Sequence, residues 1–268
     1  MLKPAIDDDS LCASDMMTRH ARRDFGRTGF REVTLEVFNQ DTETCRYTIC
    51  HVWRVADDAC SSLLFLTEPR ALAGTGVITI EHPNDESMHI WLRLRTAAQP
   101  IAIDPSRSVQ HVLGTDFTFE DLRFWLPFRA LQIADVSWHQ YEGVAACLVR
   151  ASRSSRLARW PDLRLLLHGK HWFPLSIEWL DERSGGPVKL YSARRLRQVD
   201  GVWTPTVISV ARPAHGYSSR MTMKRAAHRI DVDPALFDPA ALNDLSPITF
   251  EAWRARSTDC ADAAAPGD

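Results

Sequence analysis

Gly114-Thr115-Asp116-Phe117-Thr118-Phe119-Glu120-Asp121-Leu122 is the stretch on which the reading of the fold turns. It lies near the middle of the chain, with strand-like segments running up to it and resuming after it. Two aromatic residues alternate with small polar ones, and an acidic pair follows. Locally this is a helix start. Gly114 admits backbone angles that other residues avoid. Thr118 followed three residues later by Asp121 has capping-box spacing, with Asp in place of the usual Glu. Leu122, Trp125 and Leu126 then fall on one helical face, and Pro127 ends the helix. An aromatic-rich helical turn set among β-strands is the arrangement expected of a plug or lid lying against a curved sheet.

Upstream, the pattern switches to period two from Phe30 onward, with Val33, Leu35 and Val37 on one face. Asn39-Gln40-Asp41 marks a turn. After it Cys45, Tyr47, Ile49, His51 and Trp53 share one strand face, with Arg46, Thr48, Cys50, Val52 and Arg54 on the other. Leu63 to Leu66 is a short apolar run. Thr75 to Glu81 and Met88 to Arg95 make a hairpin around Pro83-Asn84-Asp85, with Trp91 on the face opposite Leu92. Downstream, strands are expected at Leu131–Tyr141, Val144–Ala151, Leu163–His168, Leu175–Leu180, Val188–Leu196, Val202–Val210 and Tyr217–Ile230. Short strands separated by regular turns favour a barrel or sandwich, and the absence of βαβ alternation disfavours a parallel sheet. Residues 1–25 read as a polar tail followed by a short helix, basic at Arg19, Arg22 and Arg23. Residues 26–253 form one domain, and residues 254–268, rich in Ala and Asp, read as a disordered tail.

A chain of 268 residues with 45% hydrophobic and 25% charged residues can bury a sizeable core. A net charge of −2 argues against bulk electrostatic binding of nucleic acid. Nine Trp and eleven Phe against four Tyr suggest a broad aromatic core or an apolar cavity wall. The six Cys form no C-x-x-C pair and read as reduced, mostly buried thiols. Met1 to Asp9 lacks a charged region followed by an apolar one, so no signal peptide is expected, and on that ground alone the chain reads as cytoplasmic.

Groups able to do chemistry are sparse. Asp116, Glu120 and Asp121 could serve general acid–base catalysis, but acidic residues in a first helical turn more often cap amides and complement the helix dipole. His168 and His171 flank a turn with no third ligand at a recognisable spacing, so no metal is expected. Arg150, Arg153, Arg156 and Arg159 recur at steps of three, as one helical face or as a solvated basic loop. No phosphate-binding loop, nucleophile elbow or cofactor motif is present.

The nine-residue stretch resembles the signature of the outer-membrane lipoprotein-sorting protein family, the LolA-like carriers. The resemblance extends over roughly residues 30 to 245: Phe65-Leu66 leading to Pro69, Gly74 and Gly76, then Ile90-Trp91-Leu92-Arg93-Leu94. Later come Pro174-Leu175-Ser176-Ile177-Glu178-Trp179, Gly201-Val202-Trp203-Thr204-Pro205 and Asp233-Pro234-Ala235-Leu236-Phe237. It implies a mainly β fold with a few helices, a single curved antiparallel sheet forming a half-open β-barrel with a helical lid or plug. It also implies a non-enzymatic carrier without cofactors, a lipid or lipidated cargo, an envelope transporter or membrane partner, and a periplasmic location. Ligand contact is then expected from Trp53, Trp91, Phe117, Phe119, Trp125 and Trp179. The alternatives are a cytoplasmic enzyme reusing the cavity for a lipid-like or polyketide substrate, with Asp116, Glu120 or His139 as acid or base, and a sensor domain with a protein partner.

Overall fold

The computed structural model describes residues 3–4, 13–82, 87–119, 121, 131–153 and 160–260. Within them the elements run β1 (Lys3–Pro4), α1 (Ala13–Arg22), β2 (Thr28–Asn39), β3 (Thr42–Val55), β4 (Cys60–Glu68), β5 (Gly76–His82), β6 (Ser87–Arg93) and β7 (Ile101–Ile103). The second half continues with β8 (Leu131–Tyr141), β9 (Val144–Arg153), β10 (Asp162–His168), β11 (Pro174–Leu180), β12 (Pro187–Val199), β13 (Val202–Arg212), β14 (Tyr217–His228), α2 (Glu251–Arg256) and β15 (Thr258–Asp259). Among the described residues no helix is long and apolar enough to cross a membrane.

Every pairing is antiparallel, and one sheet runs β1-β8-β9-β10-β11-β12-β13-β14-β2-β3-β4-β5-β6-β7, with β15 beside β14. The pairing of β14 with β2 joins the two halves of the chain, and β7 and β8 remain on opposite sides of an unclosed sheet. The half-open architecture expected from the sequence is therefore present. Alternation sets the register, since Val33 lies opposite Ile49 and Leu35 opposite Tyr47, which puts all four on the inner face. The same face continues through Leu64, Leu66, Val77 and Ile90, then through Cys147, Val149, Leu163, Leu165, Ile177, Tyr191, Ile208, Val210 and Met221.

Several strands are buried on both faces. Phe30, Cys50, Val52, Leu63, Phe65 and Ile78 point outward, yet all are buried under the segment that follows β14. That segment is built from three 3-10 turns, each opening on a polar residue followed by Pro: Asp233-Pro234, Asp238-Pro239 and Ser246-Pro247. Pro suits the first position of a turn because its missing N–H would have no partner there. Asp233 accepts from the Ala235 amide over 2.9 Å, and Asp238 from the Ala240 amide over 2.8 Å. Phe237, Leu242 and Phe250 thereby reach the sheet, with the Phe250 ring 5.3 Å from that of Phe65. Arg254 of α2 ties the layer down through Glu32 at 2.7 Å and the Cys50 sulfur at 3.2 Å.

Two expectations change. The ordered chain continues past residue 253, because α2 and β15 hold residues expected to be disordered, and Cys260 is buried beside β14. Arg150 lies in β9, opposite Asp135 and Arg164, and Arg153 ends the same strand, so the steps of three mark no helical face; Arg156 and Arg159 lie outside the described residues. The second face of β3 is covered by apolar surface, so Cys50 is buried and its thiol pushed up to about 12. Cys45, Cys50, Cys147 and Cys260 are free thiols.

Candidate functional site

The stretch between β7 and β8 enters the inner face at one end of the half-barrel. Its entry is a tight turn: His111 bridges to Thr118, the Val112 amide donates to the Phe117 carbonyl over 2.8 Å, and Leu113 and Gly114 take positive φ of 54° and 72°. A side chain at Gly114 would meet open space. Gly114→Ala therefore carries only the backbone cost of a left-handed residue, and a loss of about 1 kcal/mol in urea unfolding is expected.

The turn delivers Val112, Phe117 and Phe119 into the inner core, the latter two 1% and 7% exposed. Two ion pairs hold it there. Asp116, itself buried, accepts from Arg212 Nε over 2.6 Å and from the Ser219 hydroxyl over 2.8 Å, while its own amide donates to Ser219 Oγ over 2.9 Å. Asp121 accepts from the Thr118 amide over 2.6 Å and from Thr118 Oγ1 over 2.9 Å, and the Asp121 amide donates back to Thr118 Oγ1 over 3.3 Å. This is the reciprocal cap that the spacing predicts. Asp121 also takes the Lys189 ammonium, which lies 4.9 Å over the Trp179 ring. The carboxylates thus serve structure, but through cations on β12 and β13 as well as through the cap.

The opposite end of the inner face is polar inside an aromatic rim. Arg31 Nε donates to His51 Nδ1 over 2.8 Å, which leaves the proton on Nε2, 2.9 Å from Ser62 Oγ. The Arg31 guanidinium lies 5.5 Å over the Trp53 ring. Burial pulls the Arg23 and Arg31 guanidinium groups down to about 9, and it pushes the Tyr191 phenol well above its usual value. Helix α1 closes this end. Met16 and His20 of α1 and Arg23 just past its end are buried, with His20 Nδ1 donating to the Trp172 carbonyl over 2.8 Å. Phe25, Arg31, Trp53, Phe173, Trp203 and His228 line a narrow pocket at the same end.

The residues expected to touch ligand are therefore divided. Phe117, Phe119 and Trp179 share the plugged end of the inner face. Trp53 lies on the inner face at the α1 end, its Nε1 donating to the Gly26 carbonyl over 2.8 Å and its ring 5.2 Å from His51. Trp91 is on the wrong side of the sheet for a cavity residue: it packs with the outer cluster, its ring 5.8 Å from His89. Trp125, the helical face of Leu122 and Leu126, and Glu120 lie outside the described residues. His139 on β8 is 2.8 Å from Ser137 Oγ and stands opposite Ala146, near the strand ends remote from Asp116. The His168 and His171 rings are 4.7 Å apart, and His168 Nδ1 accepts from the Lys170 amide over 3.1 Å, a turn-closing role. Among the described residues no group of three or more His, Cys, Asp or Glu is placed to hold a metal. Sequence reasoning does not reach Lys189 or Arg212, nor the buried role of Met16, His20 and Arg23, whose i, i+4, i+7 spacing along α1 and its exit is visible in the sequence.

A family model described only as an uncharacterized protein matches residues 58–244. No curated protein matches the chain. Among solved structures, a DUF1329 family protein from Desulfovibrio piger superposes with a TM-score of 0.78 at 15% identity, covering 85% of this chain and 96% of that one. A domain assigned as an outer membrane lipoprotein-sorting protein, from Vibrio parahaemolyticus, gives 0.76 at 15% identity, covering 86% and 96%. A LolA superfamily protein from Nitrosomonas europaea gives 0.65 at 14% identity, covering 85% and 98%. At such identities the likeness establishes the fold, which is that of the LolA-like open barrels.

Proposed function

The chain belongs to the family of uncharacterized proteins whose model matches residues 58–244, and from that premise we propose that it is a non-enzymatic binding or carrier protein for an amphiphile. The cargo is a lipid or the acyl chain of a lipidated peptide, held against the inner face, and the place of work is the bacterial envelope. The observation that carries this reading is the inner face itself: an apolar lining continuous across an unclosed sheet, with an aromatic turn inserted at one end. Each methylene buried there gains about 0.8 kcal/mol, so an acyl chain needs no charged contact to be retained. The carboxylates best placed for acid–base work, Asp116 and Asp121, are committed to Arg212 and Lys189, which speaks against the enzymatic alternative. Phe117, Phe119 and Trp179 are the ligand contacts of this reading.

The test is mass spectrometry of an organic extract of the purified protein beside that of an unrelated protein. A stoichiometric lipid or lipidated peptide is the expected result. Phe119→Asp is expected to abolish retention while the circular dichroism stays β-rich, and Phe119→Ala, the milder change, to weaken it. Undiminished cargo in both variants would remove this segment from the site.

A further inference from the structure

β13 and β14 separate towards the end of the half-barrel that carries α1. They pair from Arg212 and Tyr217 as far as Val207 and Thr222, and beyond that point β14 pairs with β15 instead. Thr204 Oγ1 and His228 Nε2, 2.8 Å apart, face each other across the gap. The narrow pocket at this end occupies the gap and draws its lining from both faces of the sheet. Ile208 and Val210 face inward, so alternation puts Thr204 on the inner side of β13 and Trp203 and Pro205 on the outer side. Phe173, Met223 and Ala226, also in the lining, belong to the inner core. The pocket thus joins the inner face to the surface, where Trp203 is 36% exposed. Among the described lining residues Arg31 is the one charged at neutral pH, since burial lowers His228 to about 4. Asp200 and Asp24, which act on His228 from outside the lining, are engaged by the His228 amide and by Arg229. A second guanidinium, that of Arg23, lies 5.6 Å over the lining ring of Phe173.

We propose that this gap seats the carboxylate of a long-chain fatty acid, its head against the Arg31 guanidinium and its chain on the inner face. The proposal rests on the carrier reading and names the cargo within it. A guanidinium in an apolar wall favours a carboxylate over a hydroxyl, because charge-assisted bonds are about twice as strong as neutral ones. Burial pulls Arg31 down to about 9, a cost to its charge that a bound anion offsets. The pocket measures about 20 Å³, room for little more than one group the size of a water molecule. That suits the compact head of a carboxylic acid and not the bulk of a phospholipid head. From Met223 the inner face continues through Met221 and Val210. It leads towards Asp116, whose amide meets β14 at Ser219, so a chain anchored at the gap runs along the apolar lining to the aromatic turn.

The experiment is calorimetric titration of the full chain, after organic extraction of bound lipid, with decanoate, decanol, decylammonium and decyl phosphate at pH 7.5. Decanoate is expected to bind tighter than decanol by about tenfold or more, with decylammonium below decanol and decyl phosphate below decanoate. The ratio of decanoate to decanol affinity is the readout of the seat. Arg31→Met is expected to bring that ratio close to one. Trp203→Glu, on the exposed rim and so of little consequence for folding, sets a second carboxylate beside the head and is expected to lower the ratio about tenfold. Arg183→Glu, in the turn between β11 and β12, is expected to leave it unchanged. A ratio near one in the unaltered chain, or a ratio unchanged in Trp203→Glu or in folded Arg31→Met, would overturn the proposal. So would decyl phosphate binding tighter than decanoate, which would indicate a phosphate head instead. Decanol bound without preference for decanoate would remove the seat and leave the carrier reading standing. Absence of binding by any of the four would overturn the carrier reading and the seat with it.

Discussion

Replacing Lys189 by Met is expected to lower the stability of the fold by about 3–5 kcal/mol, the cost of leaving one member of a buried ion pair without its counter-charge. Lys189 and Asp121 are 2% and 6% exposed at their side chains, so water cannot take over when either is removed. Met matches the stem of Lys in size, so the change removes charge with little change in packing. Asp121→Asn leaves the ammonium buried and is expected to cost a similar amount, while an Asn at that position can still accept from the Thr118 amide. The double variant Lys189→Met/Asp121→Asn buries no charge. It should lose less than the two single losses added together, with a coupling of about 1–3 kcal/mol. Urea unfolding of all four proteins measures the cycle. Additive losses would mean that the two groups do not act as a pair. Because Asp121 also caps the turn at Thr118, the single variants should speed amide exchange at Thr118 and Phe119 ahead of the strands.

The partnership shows where sequence reading ends. The local cap at Thr118 and Asp121 is legible because both partners lie within one turn. Lys189 shares a strand face with Tyr191 and Ala193, a position where a charged residue must find a partner, but nothing in a single sequence says that the partner is 68 residues away. The strands are legible because alternation is a local property, and Val33, Leu35 and Val37 declare their face unaided. The outer layer is half legible. Leu63-Leu64-Phe65-Leu66 is apolar on both faces, which signals cover on both, and the repeated Asp-Pro steps after β14 signal capped turns. What covers the outer face of β4 depends on how the chain returns, and that is set by the pairing of β14 with β2. Trp91 enters the expected ligand set with the family resemblance, but alternation sets it opposite Leu92, and it packs with the outer cluster. The boundary at residue 253 failed because Ala and Asp dominate only beyond Cys260, while Trp253 and Arg254 anchor what precedes it.

Acidification is expected to remove a large share of the stability well before the carboxylates titrate, because three histidines are buried as neutral rings. Burial, reinforced by Arg23, lowers His20 to about 3, against the opposing pull of its bond to the Trp172 carbonyl. Burial followed by Arg31 holds His51 well below its ordinary value. Burial and then Arg31 lower His228 to about 4, against the raising influence of Asp200 and Asp24. Thr204 Oγ1 donates to the Val202 carbonyl, so His228 Nε2 is the donor in its 2.8 Å contact with that oxygen, and the neutral ring is the form the site accommodates. In the unfolded chain each of these residues takes a proton near pH 6.5. Their folded values lie lower, so the unfolded state binds more protons as pH falls. The stability they confer is complete above pH 6.5 and is lost between there and the folded values. Each costs about 1.4 kcal/mol per pH unit through that window, so at pH 5 His20 and His228 together remove about 4 kcal/mol, and His51 adds in the same direction. Against a typical total of about 5–15 kcal/mol, that is enough to bring the fold near its midpoint. Urea unfolding at pH 7.5, 6 and 5 reads the slope directly. His20→Asn, whose side-chain amide can still donate to the Trp172 carbonyl, should lose about 2 kcal/mol of the pH-dependent drop. Stability that stays level from pH 7.5 to pH 5 would mean that the rings protonate freely in the folded protein, and that the polar end of the inner face is open to water rather than sealed by α1.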